Sequence, residues 1–149
     1  KRAPDVMDSQ VVFVKEYRQD VRNSECYIWD LPGGSALDFG TDYLGTAAEE
    51  VFEETGLRVR KGRLKAHGSR QVASTLSSHH VHLYSFEMTD KELRYFKSQK
   101  GKIHGADPEN ETGERVYIEI KTLREIMAGD VVDWGTVGEI TKVLLTKNG

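Results

Sequence analysis

The chain of 149 residues predicts an α/β fold in which a mixed β-sheet lies between helices. Three observations lead there. Short stretches rich in Val, Ile, Phe and Tyr recur along the chain and read as strands. One helix-period segment, residues 42–55, interrupts them early. Two Thr-x-x-Glu patterns and a closing amphipathic stretch put further helices in the second half. No repeat, low-complexity tract or linker divides the sequence. Residues 1–149 therefore read as a single domain, large enough to bury a real core.

The elements follow in order. Residues 10–17 are rich in Val and Phe and predict a first strand, and 27–31 predict a short second one that ends at Pro32. Thr41 or Asp42 can cap the helix that follows, and Gly56 can end it in the left-handed conformation. Residues 62–69 and 77–88 read as strands. Thr89 and Glu92 form a capping-box pattern before a short helix over 89–97. The stretch 97–113 is polar and holds Gly and Pro, so it reads as a long loop, a type that usually carries function or disorder. Residues 115–120 alternate as a strand. Thr122 and Glu125 repeat the capping pattern before a helix ending near Gly129, and 134–146 form a last amphipathic helix.

The early helix carries the chemistry. Glu50, Glu53 and Glu54 stand at i, i+3 and i+4, so they share one face, while Leu44, Ala47, Ala48 and Val51 fall on the other. A solvated acidic face is the ordinary reading of such a pattern. The Gly33-Gly34 turn before the helix and the Thr55-Gly56 stop after it point further. Three crowded carboxylates repel one another, and a hard divalent cation relieves that repulsion, since Mg²⁺ prefers carboxylate and water oxygens.

Composition bounds the alternatives. Hydrophobic residues at 38% and charged residues at 30% are ordinary for a globular protein. No apolar run approaches the ~20 residues that span a bilayer, so no membrane role is expected. The opening residues Lys1 to Asp5 lack the apolar region of a secretory signal. Cys26 is alone, which excludes an internal disulfide and favours a reducing, intracellular and by default cytoplasmic setting. The net charge of −3 gives no general case for nucleic acid. The local basic group Arg58, Arg60, Lys61, Arg63 and Lys65 reads best as a solvated strand edge. His80 and His82 share a strand face and His79 points away. With no nearby Cys or third spaced His, they read as surface groups or substrate-loop contacts rather than zinc ligands.

Residues 33–57 resemble the Nudix box, G-x5-E-x7-R-E-U-x-E-E-x-G-U, where U is a bulky aliphatic residue. The second half, Glu50-Val51-Phe52-Glu53-Glu54-Thr55-Gly56-Leu57, matches. Glu49 stands where that family has Arg, Thr41 where it has its first Glu, and one extra residue separates Gly34 from Thr41. Four other segments are similar to the ADP-ribose and ADP-sugar pyrophosphatase branch. Val11 to Arg18 resembles its strand ending in Q-Y-R, and Trp29-Asp30-Leu31-Pro32-Gly33-Gly34 its E-L-P-A-G. Ile103 to Glu111 resembles its I-H-G…A-D-E-N-E loop. Gly129 to Asp133 with Thr136 resembles its G-x-I-x-D-x-x-T before the last helix.

The resemblance implies the Nudix fold, an α/β/α sandwich, and Mg²⁺-dependent hydrolysis of ADP-ribose or a related nucleoside diphosphate sugar, with Mn²⁺ as a substitute metal. It implies that Glu50, Glu54 and the Gly33 carbonyl hold metal, with Glu53 beside them as a catalytic candidate. It places the general base at Glu109 or Glu111 on the long loop, with Glu114 as a further candidate. Arg18 becomes a phosphate or ribose contact and Trp29 a stacking surface for the base, although aromatics in strands more often belong to a core. A homodimer is compatible with this branch. The departures at Glu49 and Thr41 keep two other readings open. One applies the same chemistry to the 5′ end of RNA or to a dinucleotide polyphosphate. The other is a non-catalytic module that binds a nucleotide or a protein partner.

Overall fold

Gln10–Tyr17 forms strand β1, the strand around which the larger sheet is built. The computed structural model describes residues 1–35, 42–105 and 115–146. On one side β1 pairs with β2 (Tyr27–Asp30), Val14 lying opposite Asp30 and Tyr17 opposite Tyr27. On the other it pairs with β6 (Val116–Thr122), from Gln10 opposite Thr122 to Glu16 opposite Val116. The short β5 (Ile103–His104) adds to the outside of β6, giving the order β2-β1-β6-β5. Alternate residues of β1 point to opposite faces. Phe13 and Val11 join Trp29, Leu123, Ile126, Val137 and Ile140 in one core. Val12 joins Ile118, Ile120, Met88, Phe96 and Leu93 in another. The helices α3 (Leu123–Ala128) and α4 (Trp134–Leu145) thus cover one face, and α2 (Asp90–Ser98) covers the other.

The expected single mixed sheet is not what forms. Among the described residues every strand pairing is antiparallel, and β3 (Lys65–Gln71) and β4 (His80–Ser85) make a separate two-stranded sheet. The reason lies in β3, whose sequence Lys-Ala-His-Gly-Ser-Arg-Gln is exposed at nearly every position. A strand without an apolar stripe cannot sit between two layers of helices. Its register also shifts between Ala66 and Ser69, where Gly68 has φ +93°. The expected strand at 62–69 begins with a turn of 3-10 helix at Lys61–Arg63. The expected strand at 77–88 narrows to β4 because Leu76 and Ser77 both donate to the Ala73 carbonyl and close a turn. Among the described residues no helix is long and apolar enough to cross a membrane.

Helix ends follow local chemistry. Both Thr-x-x-Glu patterns are complete capping boxes, Thr89 with Glu92 and Thr122 with Glu125. Helix α1 (Tyr43–Thr55) is capped by Asp42, whose carboxylate accepts from the Gly45 N–H at 2.9 Å, and it ends at Gly56 with φ +71°. A side chain at Gly56 would meet the Tyr95 hydroxyl, which donates to the Thr55 carbonyl and so ties α1 to α2. Beside this joint, the Arg63 guanidinium binds the Glu92 carboxylate through both nitrogens and also donates to the Glu87 carbonyl.

That ion pair carries a pH signature. The Arg63 guanidinium, followed by the Thr89 amide and hydroxyl, holds the Glu92 carboxyl down at about 2. Folding lowers this pKa, so the stabilisation is complete above the unfolded value near 4.5 and is lost as pH falls toward about 2. Glu92→Gln should therefore reduce stability at pH 6 and cost less at pH 3. Urea unfolding of both proteins at the two pH values checks this. An equal difference at both would show that the pair adds nothing that titrates.

Candidate functional site

The site begins at the turn after β2. Pro32, Gly33 and Gly34 run under one side of α1, where the Gly33 N–H donates to Glu54 Oε2 at 3.0 Å. Glu54 is only 7% exposed, so the acidic face of α1 is not simply solvated. Glu50, one turn earlier, presses on Gly34. A Cβ at Gly34 would lie 1.9 Å from Glu50 Oε1, so only glycine lets the turn and this carboxylate approach so closely. The i, i+4 pair thus meets the Gly-Gly turn that the sequence set beside it.

Glu53 does not join them. It is exposed, whereas Glu54 is buried at the turn, and of the three glutamates only Glu50 lines the cleft. Consecutive helical residues are rotated by about 100°, which carries Glu53 round the helix from the buried Glu54. Glu49 is exposed as well, and its charge acts on Lys61, whose ammonium pairs with Asp42 at 2.5 Å. Glu49 thus has a cationic neighbour in Lys61. Leu44, Ala47, Ala48 and Val51 are half-buried, and the buried helix residues are Gly45, Glu54 and Thr55.

A cleft of about 1030 Å³ opens beside Glu50. Its walls come from the Pro32–Gly34 turn, from Tyr43, Thr46 and Ala47 of α1, from the β3–β4 hairpin, and from the first turns of α4. The hairpin contributes His67, His80 and His82, together with His79, which precedes β4 and so does not follow the strand alternation expected to turn it away. His82 stacks on Tyr43 with ring centroids 4.0 Å apart and planes 9° from parallel, joining β4 to the start of α1. His67 shares a hydrogen bond with the Ser85 hydroxyl at 2.7 Å, and burial pushes its pKa down. On the facing wall Asp133 caps α4 by accepting from the Thr136 N–H, and the Thr136 hydroxyl donates to Asp30 at 3.0 Å. Glu139, one turn on, is half-buried in the same cleft. Its carboxyl is pushed up to about 7, first by burial and then by the charges of Asp30 and Asp133.

The remaining expected residues fall elsewhere. Trp29 is 4% exposed and packs on Phe13 in the core, with Lys15 and Lys121 set over its ring at 5.4 and 5.2 Å. It does not line the cleft, and the ordinary core reading of a strand tryptophan holds. Arg18 is exposed, pairs with Glu16 at 2.8 Å, and borders a separate small hollow with Val14 and Asp20. His104 packs beside Gly56, and burial lowers its pKa. Thr41, Glu109, Glu111 and Glu114 lie outside the described residues.

Asp30, Asp133, Tyr43 and Glu139 entered the cleft without being anticipated as site residues. The Asp133-x-x-Thr136 pattern was readable as a cap. Glu139 carried no signal, because a glutamate inside an amphipathic helix reads as solvent-facing.

The donor set at the turn can be weighed against a divalent cation. Among the described residues no group of three or more His, Cys, Asp or Glu side chains is arranged to hold a metal. Mg²⁺ does not require one, since it keeps several waters and binds through one or two carboxylates together with substrate phosphates. Glu50 and Glu54 at a turn with no side chains fit that requirement. The chain matches no known family model and no curated protein.

Proposed function

We propose that this chain is a Mg²⁺-dependent Nudix-type hydrolase that splits the pyrophosphate of ADP-ribose or a related nucleoside diphosphate sugar. One observation carries the reading. Two glutamates one helical turn apart meet a Gly-Gly turn, and Glu50 of the pair lines, with both glycines, a cleft large enough for a nucleotide sugar. Glu50 and Glu54 would hold the metal. When bound, Mg²⁺, or Mn²⁺ in its place, neutralises phosphate charge and makes water a better nucleophile. The chain's own part is positional. The Gly33 amide fixes Glu54, and Gly34 leaves room for Glu50 to reach the turn. Helices on both faces of the four-stranded sheet support the Nudix fold in outline.

The departure from the box at Glu49 bears less on this reading than its sequence position suggests. Its side chain is exposed and does not line the cleft. The test is release of AMP and ribose 5-phosphate from ADP-ribose in Mg²⁺, run beside 5′-triphosphorylated RNA and a dinucleoside polyphosphate. Turnover of ADP-ribose with no turnover of the other two is the expected result. Preference for RNA or the polyphosphate would keep the chemistry and change the substrate. Nucleotide binding without any turnover in Mg²⁺ or Mn²⁺ would make the chain a binding module.

A further inference from the structure

We infer that Glu139 is the group that takes the proton from the attacking water in this cleft. The inference rests on the hydrolase reading. In the step, a bond forms between the water oxygen and one phosphorus while the bond from that phosphorus to the bridging oxygen breaks. The water's proton passes to a Glu139 carboxylate oxygen, and the electron pair leaves with the departing phosphate monoester.

The placement of α4 supports this role. Asp30, at the end of β2, accepts from the Thr136 hydroxyl at 3.0 Å and from the Leu31 N–H at 2.7 Å. Gly33, a few residues later, donates to Glu54. The helix bearing Glu139 and the helix bearing the metal-binding pair are therefore anchored to the same short stretch of chain. Glu139 lies one turn after Thr136, on the side that faces Asp30. It borders the cleft together with Glu50, Gly33 and Gly34. Asp30 and Asp133 are engaged as acceptors, whereas Glu139 has no hydrogen-bond or ion-pair partner among the described residues. A half-buried carboxylate that opens into a cleft without a partner is placed to receive a proton.

Its electrostatic setting suits the task. Burial, then Asp30 on β2 and Asp133 at the α4 cap, push the carboxyl up to about 7, near the optimum for a base at neutral pH. Glu50 on α1, Lys1 and Arg2 at the start of the chain, Arg63, Lys65 and His67 at and before β3, and His79, His80, His82 and Glu87 in and around β4 line the same cleft. Lys142 lies one turn farther along α4 and acts on His67.

The test is the pH dependence of kcat and KM for ADP-ribose hydrolysis in Mg²⁺, for the parent, Glu139→Gln and Asp133→Asn. The parent rate should fall below about pH 7, because a base must be deprotonated to act. Glu139→Gln should lower kcat by about 10² to 10⁴, leave KM nearly unchanged and remove that acid limb. Asp133→Asn keeps a capping side chain but removes one repelling charge, so the limb should move to lower pH. This second variant decides the matter if Glu139→Gln does not fold. Retention of rate and limb in Glu139→Gln would overturn the assignment. So would an unmoved limb in Asp133→Asn, or loss of the limb in Glu109→Gln or Glu111→Gln instead. A parent that turns over no nucleotide at all would overturn the hydrolase reading and this inference with it.

Discussion

Glu54→Gln is expected to abolish most hydrolysis while leaving the fold in place. The carboxylate is buried beside the Gly33 amide and stands one turn from Glu50. An amide of the same shape keeps an oxygen for the Gly33 N–H but removes the charge that would hold the metal. Losing several kcal/mol of transition-state stabilisation corresponds to roughly a thousandfold or more in rate. The measurements are kcat with ADP-ribose across a Mg²⁺ series and urea unfolding in chelator. Parental turnover of every nucleotide tested would mean that the acidic face of α1 is not the active site.

Much of this architecture was legible because it is local. The bounds of β1, the two capping boxes, the Asp42 cap and the left-handed Gly56 follow from residues within a few positions of one another. What escaped depends on contacts between distant segments. The strand character of β3 was readable, but its exclusion from the main sheet became clear only from its exposure on both faces. Trp29 looks the same in sequence whether it stacks on a base or fills a core. Phe13 across the sheet and the two lysines over its ring settle which.

The site divides in the same way. The spacing of Glu50 and Glu54 and the preceding glycines lie within one continuous stretch, so their meeting could be anticipated. Glu53 belonged to the same spacing argument, but a three-residue step and a four-residue step leave the axis in different directions, and burial separates them. Glu139 shows the limit most clearly. Its setting comes from Asp30, on a strand far away in sequence, and from a hydroxyl bond that draws the two segments together.

Gly34→Ala is expected to damage the site with little effect on the fold. The added methyl would lie 1.9 Å from Glu50 Oε1 and 2.4 Å from its carboxyl carbon. These atoms end a flexible side chain, so Glu50 can swing away without disturbing the backbone. The global cost should be small, while the carboxylate is displaced from the turn by an ångström or more. A displacement of about 1 Å at a reacting centre can cost about 10² in rate. The variant should therefore unfold in urea close to the parent, need more Mg²⁺ for half-maximal rate, and turn over substrate roughly a hundredfold more slowly. Gly62→Ala is the control. It lies away from the turn and a Cβ there meets nothing within 4 Å, so it leaves both glutamates where they are. If the two alanine variants behave alike, close contact between Gly34 and Glu50 is not what the site depends on. If Gly34→Ala alone loses rate at unchanged stability, the turn acts on catalysis through the position of Glu50.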